Sequence, residues 1–412
     1  MDADVLVIGA GLAGLNAARL LERDGCQVVV VDAADAVGGR VRTDLVDGFR
    51  VDRGFQVLNP AYPALREAVD LDRLALRRFG RGVAVRTSDG LRVLADPLRA
   101  PRLAGGPAGA VLADPGAAWA LLRWVAPSLA GRRAIEASPE AGLFDSLDAA
   151  GVRGPLREQV LEPFLAGVLG DAEGVTSAHF VRWLLRWFVL GTPGLPAQGL
   201  AAVPAQLAQG LRAPVRLGVA VDGLERSAGG WTARTGGGTI TSRAVVVAAG
   251  PVASAGLLGR RPPAMRGLAT WWFAPEESPT RSRFLHVDGL SGGPVVNTAV
   301  VSNAQPSYAP AGRHLVQAST LLAGRTPVEA EVRAHLGRIY GRPATDWPLV
   351  SSQEIPDALP AIPPGSWRTP PSDDSDGSDG LVLAGDGTDA SIQGALASGQ
   401  AAAERVRGRL GS

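Results

Sequence analysis

The sequence predicts an α/β protein: a Rossmann-type domain that binds a dinucleotide and is discontinuous along the chain, with an α+β domain inserted into it. Three observations predict this. The apolar run DVLVI at residues 4–8 leads straight into GAGLAG, Gly9 to Gly14. A second apolar run, QVVVVD, ends on an acid at Asp32, 18 residues after Gly14. The length of 412 residues allows roughly two to three domains at about 150 residues each.

Each element of the first unit has a physical reason. DVLVI is short, apolar and β-branched, which reads as a buried strand. Gly9 permits the tight turn after it, Gly11 lets the backbone approach a pyrophosphate, and Gly14 allows close packing of helix on strand. LNAARLLERDG reads as a helix stopping at Gly25, and its N-terminus offers free N–H groups to phosphate. QVVVVD is the second strand, and Asp32 at its end is placed to accept from ribose hydroxyls. Strand, turn, helix, strand and acid in one register carry more weight than the glycines alone.

Composition narrows the function classes. Apolar residues make up 46% and charged residues 20%, which excludes a disordered chain. The sequence shows no run long enough for a spanning helix and no charged-then-apolar leader at Met1, so a cytoplasmic protein is expected. A net charge of +1, from 41 basic and 40 acidic residues, gives no footprint for nucleic acid. Cys26 is the one cysteine and only four histidines are present, so no metal site is expected. Every basic residue is arginine, so no lysine exists to act as a tunable amine. That bias, with abundant alanine and glycine, suggests a GC-rich bacterial source.

The residues after Asp32 separate one dinucleotide from another. AADAVGGRVRT contains Gly38, Gly39 and Arg40, GFRVDRGFQVL surrounds Asp52 and Gly54, and LVLAGDGTDASIQGALASGQAAAERV lies near the C-terminus. Together these resemble the flavin-containing amine oxidase and phytoene desaturase superfamily. The resemblance implies FAD and an FAD-dependent oxidoreductase, and noncovalent attachment is expected because Cys26, the one cysteine, lies at the start of the second strand and no histidine falls in these motifs. It implies that the Gly38-Gly39-Arg40 loop lies along the pyrophosphate and that Gly385 and Asp386 meet the ribityl chain or pyrophosphate. Backbone groups of Val219 would meet the adenine. The helix beginning near Ile392 would point its N-terminus at the flavin O2 edge, where its dipole stabilises negative charge. Ser391 falls where many amine oxidases of the family place one of two aromatic rings that sandwich the amine. Many of those enzymes also hold a lysine near flavin N5, and this chain has none.

The FAD-binding domain is expected to comprise residues 1–79, 191–264 and 376–412, and the substrate domain 80–190 and 265–375. The first insertion reads as helical. In SAHFVRWLLRWFVLG, Val181, Leu184, Leu185 and Phe188 share one helix face, and Arg182 and Arg186 another. That apolar face is expected to pack in a core, with a tunnel wall or contact with a membrane surface as the alternatives. The second insertion alternates enough to read as antiparallel strands roofing the flavin. SSQEIPDALPAIPPGSW reads as a fixed proline-rich loop, and RTPPSDDSDGSDG as a solvated one. Asp374, Asp376 and Gly377 lack the glutamate a calcium loop requires.

Flavin supplies the redox chemistry, so few residues need face it. Gln56, after Phe55, is a candidate polar contact, and Trp271 or its neighbour Trp272 a candidate lining of the substrate cavity. His179 fits the first turn of a helix capped near Thr176, a structural role. No nucleophile triad or paired-carboxylate spacing stands out. The expected activity is removal of hydride equivalents from a mainly apolar organic small molecule, larger than a simple amine and closer in kind to isoprenoid or polycyclic compounds. The alternatives are an amine or amino-acid oxidase, and a flavoprotein whose FAD is structural or serves a non-redox isomerisation.

Overall fold

The computed structural model describes residues 1–95, 115–367 and 379–411. Segments far apart in sequence meet in one sheet. Strand β1 (Ala3–Ile8) lies parallel to and between β2 (Val28–Asp32) and β12 (Gly238–Val247). Beyond β2 lies β9 (Arg216–Leu217), and beyond β12 the antiparallel β11 (Gly230–Thr235) and β10 (Val221–Ser227). Strand β12 is shared along its length: Gly238 to Ser242 pair with β11, and Val245 to Val247 pair in parallel with β18 (Leu381–Leu383).

Both faces of this sheet are covered, which is why its strands are apolar at successive positions. Val5 and Val7 face a layer built from α1 (Leu12–Arg23), α2 (Pro63–Ala68), α8 (Ala202–Gln209) and α12 (Ile392–Leu410). Leu6 and Ile8 face the opposite side, with Ile240 and, at its margin, Leu257 of α9 (Pro251–Leu257). Helices α1 and α12 touch closely: a Cβ on Gly399 would overlap the Ala13 carbonyl oxygen, and Asn16 donates to the Leu396 carbonyl at 2.8 Å.

The second sheet runs in the order β17 (Leu349–Pro360), β13 (Met265–Phe273), β16 (Val316–Leu321), β15 (Val295–Val300), β14 (Leu285–Asp288), β6 (Gly82–Thr87) and β7 (Gly90–Ala95). A one-turn helix, α10 (Val301–Ala304), comes after β15, and α11 (Glu329–Tyr340) covers one face of the sheet. Helices α3 (Pro115–Ala130), α4 (Arg132–Glu136), α5 (Leu143–Ala149), α6 (Glu162–Leu169) and α7 (Ala178–Leu190) form a separate layer. Its core contains Trp124, Leu147 and Phe180. Two small ladders, β3 (Thr43–Val46) with β4 (Phe49–Asp52) and β5 (Arg77–Arg78) with β8 (Gly194–Leu195), join these parts.

Three expectations are corrected. The first insertion is not helical throughout: it opens with the β6–β7 hairpin, turning at Ser88-Asp89, and β6 joins β14 in parallel. SSQEIPDALP is not a loop but most of β17. Pro356 is accommodated because β17 is an edge strand with a register break opposite Gly267, where a ladder donor is not required. Trp271 does not line a cavity on the cofactor side. It packs with Val332, Leu336 and Tyr340 of α11, whereas Trp272, fully buried, points into the core shared with α1. Alternation along β13 sends the two rings to opposite faces. Asp374, Asp376 and Gly377 lie outside the described residues.

Buried Asp52, at the end of β4, accepts from Thr43 Oγ1 at 2.5 Å, Tyr308 OH at 2.7 Å and Leu200 N at 3.0 Å. Burial outweighs these neutral donors and pushes its carboxyl up to about 6. A carboxyl raised on folding favours the protonated state, so its contribution is most favourable below the unfolded value and is lost as pH rises to about 6. Relative to wild type, Asp52→Asn is expected to gain roughly 3 kcal/mol of stability between acid and neutral pH. Urea unfolding of both proteins at the two pH values checks this, and a pH-independent difference would refute it.

Candidate functional site

The carboxyl ends of β1, β2, β12 and β18 converge, and the loops leaving them form a crevice where an open α/β sheet binds its ligand. Gly9 adopts φ +109°, and a Cβ on it would overlap the Ala248 carbonyl. Gly14 presses against the Gly9 carbonyl oxygen, so both glycines are required by packing. Gly11 differs. It is the N-cap of α1 with φ −74°, and a Cβ on it would meet nothing within 4 Å. No side chain caps α1, which leaves its first N–H groups for an anion.

The second glycine loop is laid against the first. Gly11 and Gly38 form a parallel bridge, and Gly38 N donates to the Ala10 carbonyl at 2.8 Å. Gly38 and Gly39 both take positive φ, and a Cβ on Gly39 would come within 3.5 Å of Gly11 Cα. Asp32 faces the same turn: its carboxylate accepts from Ala10 N at 2.6 Å and Ala34 N at 2.8 Å. Val219 stands beside it, its amide donating to the Asp32 carbonyl at 2.9 Å.

Arg40 reaches Asp386 at 2.5 Å and the Ala358 carbonyl of β17 at 3.0 Å, tying the loop to the third segment and to the second sheet. Gln56 Nε2 donates to the Arg40 carbonyl at 3.0 Å. Gly385 and Gly387, flanking Asp386, are open like Gly11, with nothing within 4 Å of an added Cβ. Two glycine-lined walls with free space between them and unspent helix N–H groups fit an extended dinucleotide. The residues expected to hold one are thus brought together, from three stretches of sequence, with Gln56 at their edge. Ser391 is the N-cap of α12: its Oγ accepts from Gly394 N at 2.9 Å, and Ile392 opens the helix.

The structure also brings in residues that sequence reading passed over. Asp389 Oδ2 accepts from Trp183 Nε1 at 2.9 Å and its Oδ1 from Ser391 Oγ at 2.6 Å. Burial lifts this carboxyl to about 6, with the negative Asp386 adding to the rise and the Ser391 and Trp183 donors opposing it. Trp183 packs against Trp187, ring centroids 4.9 Å apart, and Trp367, 5.8 Å. Tyr62, 5.9 Å from Trp187, completes the wall. Burial and the charge of Asp389 both hold its phenol protonated. Tyr62 is far from the C-terminal motif in sequence but near it in space: Ala64 N donates to Gln393 Oε1 of α12 at 3.0 Å. The one legible signal was the pattern of tryptophans on α7.

The predicted structural histidine, His179, lies in the first turn of α7, with Nδ1 2.9 Å from Glu140 and Nε2 2.8 Å from the Ser138 carbonyl. The cap of that helix is Ser177, whose Oγ accepts from Phe180 N; Thr176 bonds Asp171 instead. Arg182 is buried, its guanidinium over the Trp124 ring at 4.7 Å, rather than on a free helix face. Among the described residues no group of His, Cys, Asp and Glu could hold a metal ion.

Comparison with known proteins agrees with this geometry. Putrescine oxidase of Kocuria rosea is 41% identical over 86 residues, 21% of this chain and 18% of that protein. Phytoene dehydrogenase of Streptomyces griseus is 41% identical over 92 residues, again 21% of this chain and 18% of its own length. The matched stretch is thus under a fifth of these curated relatives. The structure of cyclohexylamine oxidase from Brevibacterium oxydans superposes over 100% of both chains with a TM-score of 0.75 at 19% identity, a likeness of fold. The profile of the flavin containing amine oxidoreductase family matches residues 12–407, so the chain belongs to that family.

Proposed function

We propose that the chain holds FAD noncovalently and removes hydride equivalents from a mainly apolar organic substrate. Bound FAD would supply the redox chemistry. The turn at Gly9, Gly11 and Gly14, with the Gly38-Gly39-Arg40 loop, would hold the pyrophosphate, Asp32 the ribose, the backbone of Val219 the adenine, and Gly385 and Asp386 the ribityl chain. The start of α12, at Ser391 and Ile392, would face the flavin O2 edge. Noncovalent attachment is supported by the position of Cys26, the single cysteine, just before β2 and by the lack of histidine in these motifs. Sheet membership supports the division into an FAD-binding part, 1–79, 191–264 and 376–412, and a substrate part, 80–190 and 265–375.

The observation that carries the substrate reading is the cluster of rings beside the start of α12: Trp187, Trp367 and Tyr62 are buried and pack around Trp183, which is half-buried, so the surroundings of that helix end are apolar. The chain also lacks the lysine that many amine oxidases of the family hold near the flavin. A second reading, an amine oxidase, is favoured by Asp389, a carboxyl set among those rings that could receive a cation. Anaerobic mixing with panels of isoprenoids, polycyclic compounds, amines, polyamines and amino acids separates them. Bleaching of the flavin absorbance by apolar compounds is expected. Bleaching by small amines alone would install the second reading, and turnover with flavin that stays oxidised would overturn redox chemistry altogether.

Contact with a membrane surface is part of this proposal. Trp119, Leu122 and Leu129 of α3 are 63%, 64% and 55% exposed, along one side of a helix whose single charge is Arg123. No described helix is long and apolar enough to cross a membrane. Cosedimentation with anionic vesicles is expected, and Trp119→Ser with Leu122→Ser should abolish it. Equal pelleting of the double variant would refute the contact.

A further inference from the structure

Asp386 and Asp389 stand three residues apart in one loop, yet their surroundings differ. Asp386 is paired with Arg40. Asp389 receives only neutral donors, one from each side: the Trp183 indole of α7 and the Ser391 hydroxyl that caps α12. The bond to Trp183 spans 206 positions of sequence and joins the helical layer to the helix expected to face the flavin.

Both charge states of Asp389 can be satisfied in this geometry. As a carboxylate it accepts from both donors. With a proton on Oδ1 it can donate to Ser391 Oγ, which keeps a lone pair beyond the one taken by Gly394 N, while Oδ2 still accepts from Trp183. The bond to Ser391 reverses and the contact persists. A negative charge two residues before the cap also favours the positive end of α12, an advantage that weakens when the same helix end serves another anion.

We propose that Asp389 is a positioning residue that latches α7 to the start of α12, and that its proton is exchanged in step with negative charge arriving at that helix end. The inference rests on the reading of α12 as facing the flavin. The groups around Asp389 set the balance: Asp386, neutralised by Arg40, from its own loop; Arg132 of α4, acting at longer range and stacked over Trp367 at 4.5 Å; Tyr62, protonated, from the start of α2; and the His179–Glu140 pair beyond Trp367. The wild-type carboxyl is placed to titrate at about 6.

Two measurements test this. In protein labelled with indole 15N, the Trp183 N–H resonance, assigned with Trp183→Phe, should titrate in wild type at about 6 and be flat in Asp389→Asn. In the FAD-loaded protein, the midpoint potential of Asp389→Asn should match wild type at about pH 5 and lie above it at about pH 8, where only wild type carries the charge. A flat Trp183 resonance in wild type, or an offset in potential that is the same at both pH values, overturns the proposal. Titration at Trp183 in a protein that retains no FAD upholds the latch and refutes the cofactor reading instead. If Asp389→Asn fails to fold, Trp183→Phe serves: loss of the indole donor should move the pH midpoint of the flavin spectrum upward, and an unmoved midpoint overturns the proposal.

Discussion

Gly11→Val is expected to fold and to lose FAD. The residue has φ −74°, which valine adopts readily, and a Cβ there meets nothing within 4 Å, so the polypeptide offers no objection. Valine is a poor N-cap, which costs about 1 kcal/mol or less. The space its methyls fill is the space a pyrophosphate needs against the bare helix end. FAD affinity should fall more than about 100-fold, or by roughly 3 kcal/mol or more. Purified Gly11→Val should be colourless, with a denaturant midpoint close to that of wild-type apoprotein. A yellow variant with full occupancy would remove the premise that this turn carries the cofactor.

Gly14→Ala, three residues on, should fail for the opposite reason. Its Cβ would overlap the Gly9 carbonyl oxygen and lie 3.2 Å from Ala248 Cβ, two groups fixed by β1, α1 and β12. Neither neighbour is a flexible side chain, so helix and sheet must separate. A loss of roughly 3 kcal/mol or more is expected, at the upper end of overpacking costs. Urea denaturation of the apoprotein measures it, and a loss below about 1 kcal/mol would show that α1 has room to move. The two variants together separate what the glycine motif does for the ligand from what it does for the fold.

That separation also marks how far the sequence could be read. The βαβ unit was legible because most of its signal is local: Gly14 presses on Gly9, and Asp32 accepts from Ala10 and Ala34, although Gly9 and Gly14 also pack on Ala248 far along the chain. The two-residue turn at Ser88-Asp89 is equally local, and the helical pattern that comes after it masks it. Strand β17 was hidden because Pro356 argues against a strand unless that strand is at an edge, and edge position is a property of the sheet. The direction of Trp271 depended on which side of β13 receives α11. Asp389 was the least legible, since an acid in a turn before a helix is ordinary until Trp183 is brought to it from another layer.

The close seating of α1 on α12 has a consequence for biosynthesis. The first helix of the βαβ unit is complete once about thirty residues have left the ribosome, but the surface it needs, around Leu396 and Gly399, is translated some 380 positions later. At about 5–20 residues per second that interval is roughly 20–80 s. Through it the nascent α1 lacks the helix it packs against, and the crevice beside it lacks its opposite wall, the Gly385–Asp386 loop. Completion of the crevice is therefore a late event, coupled to arrival of α12.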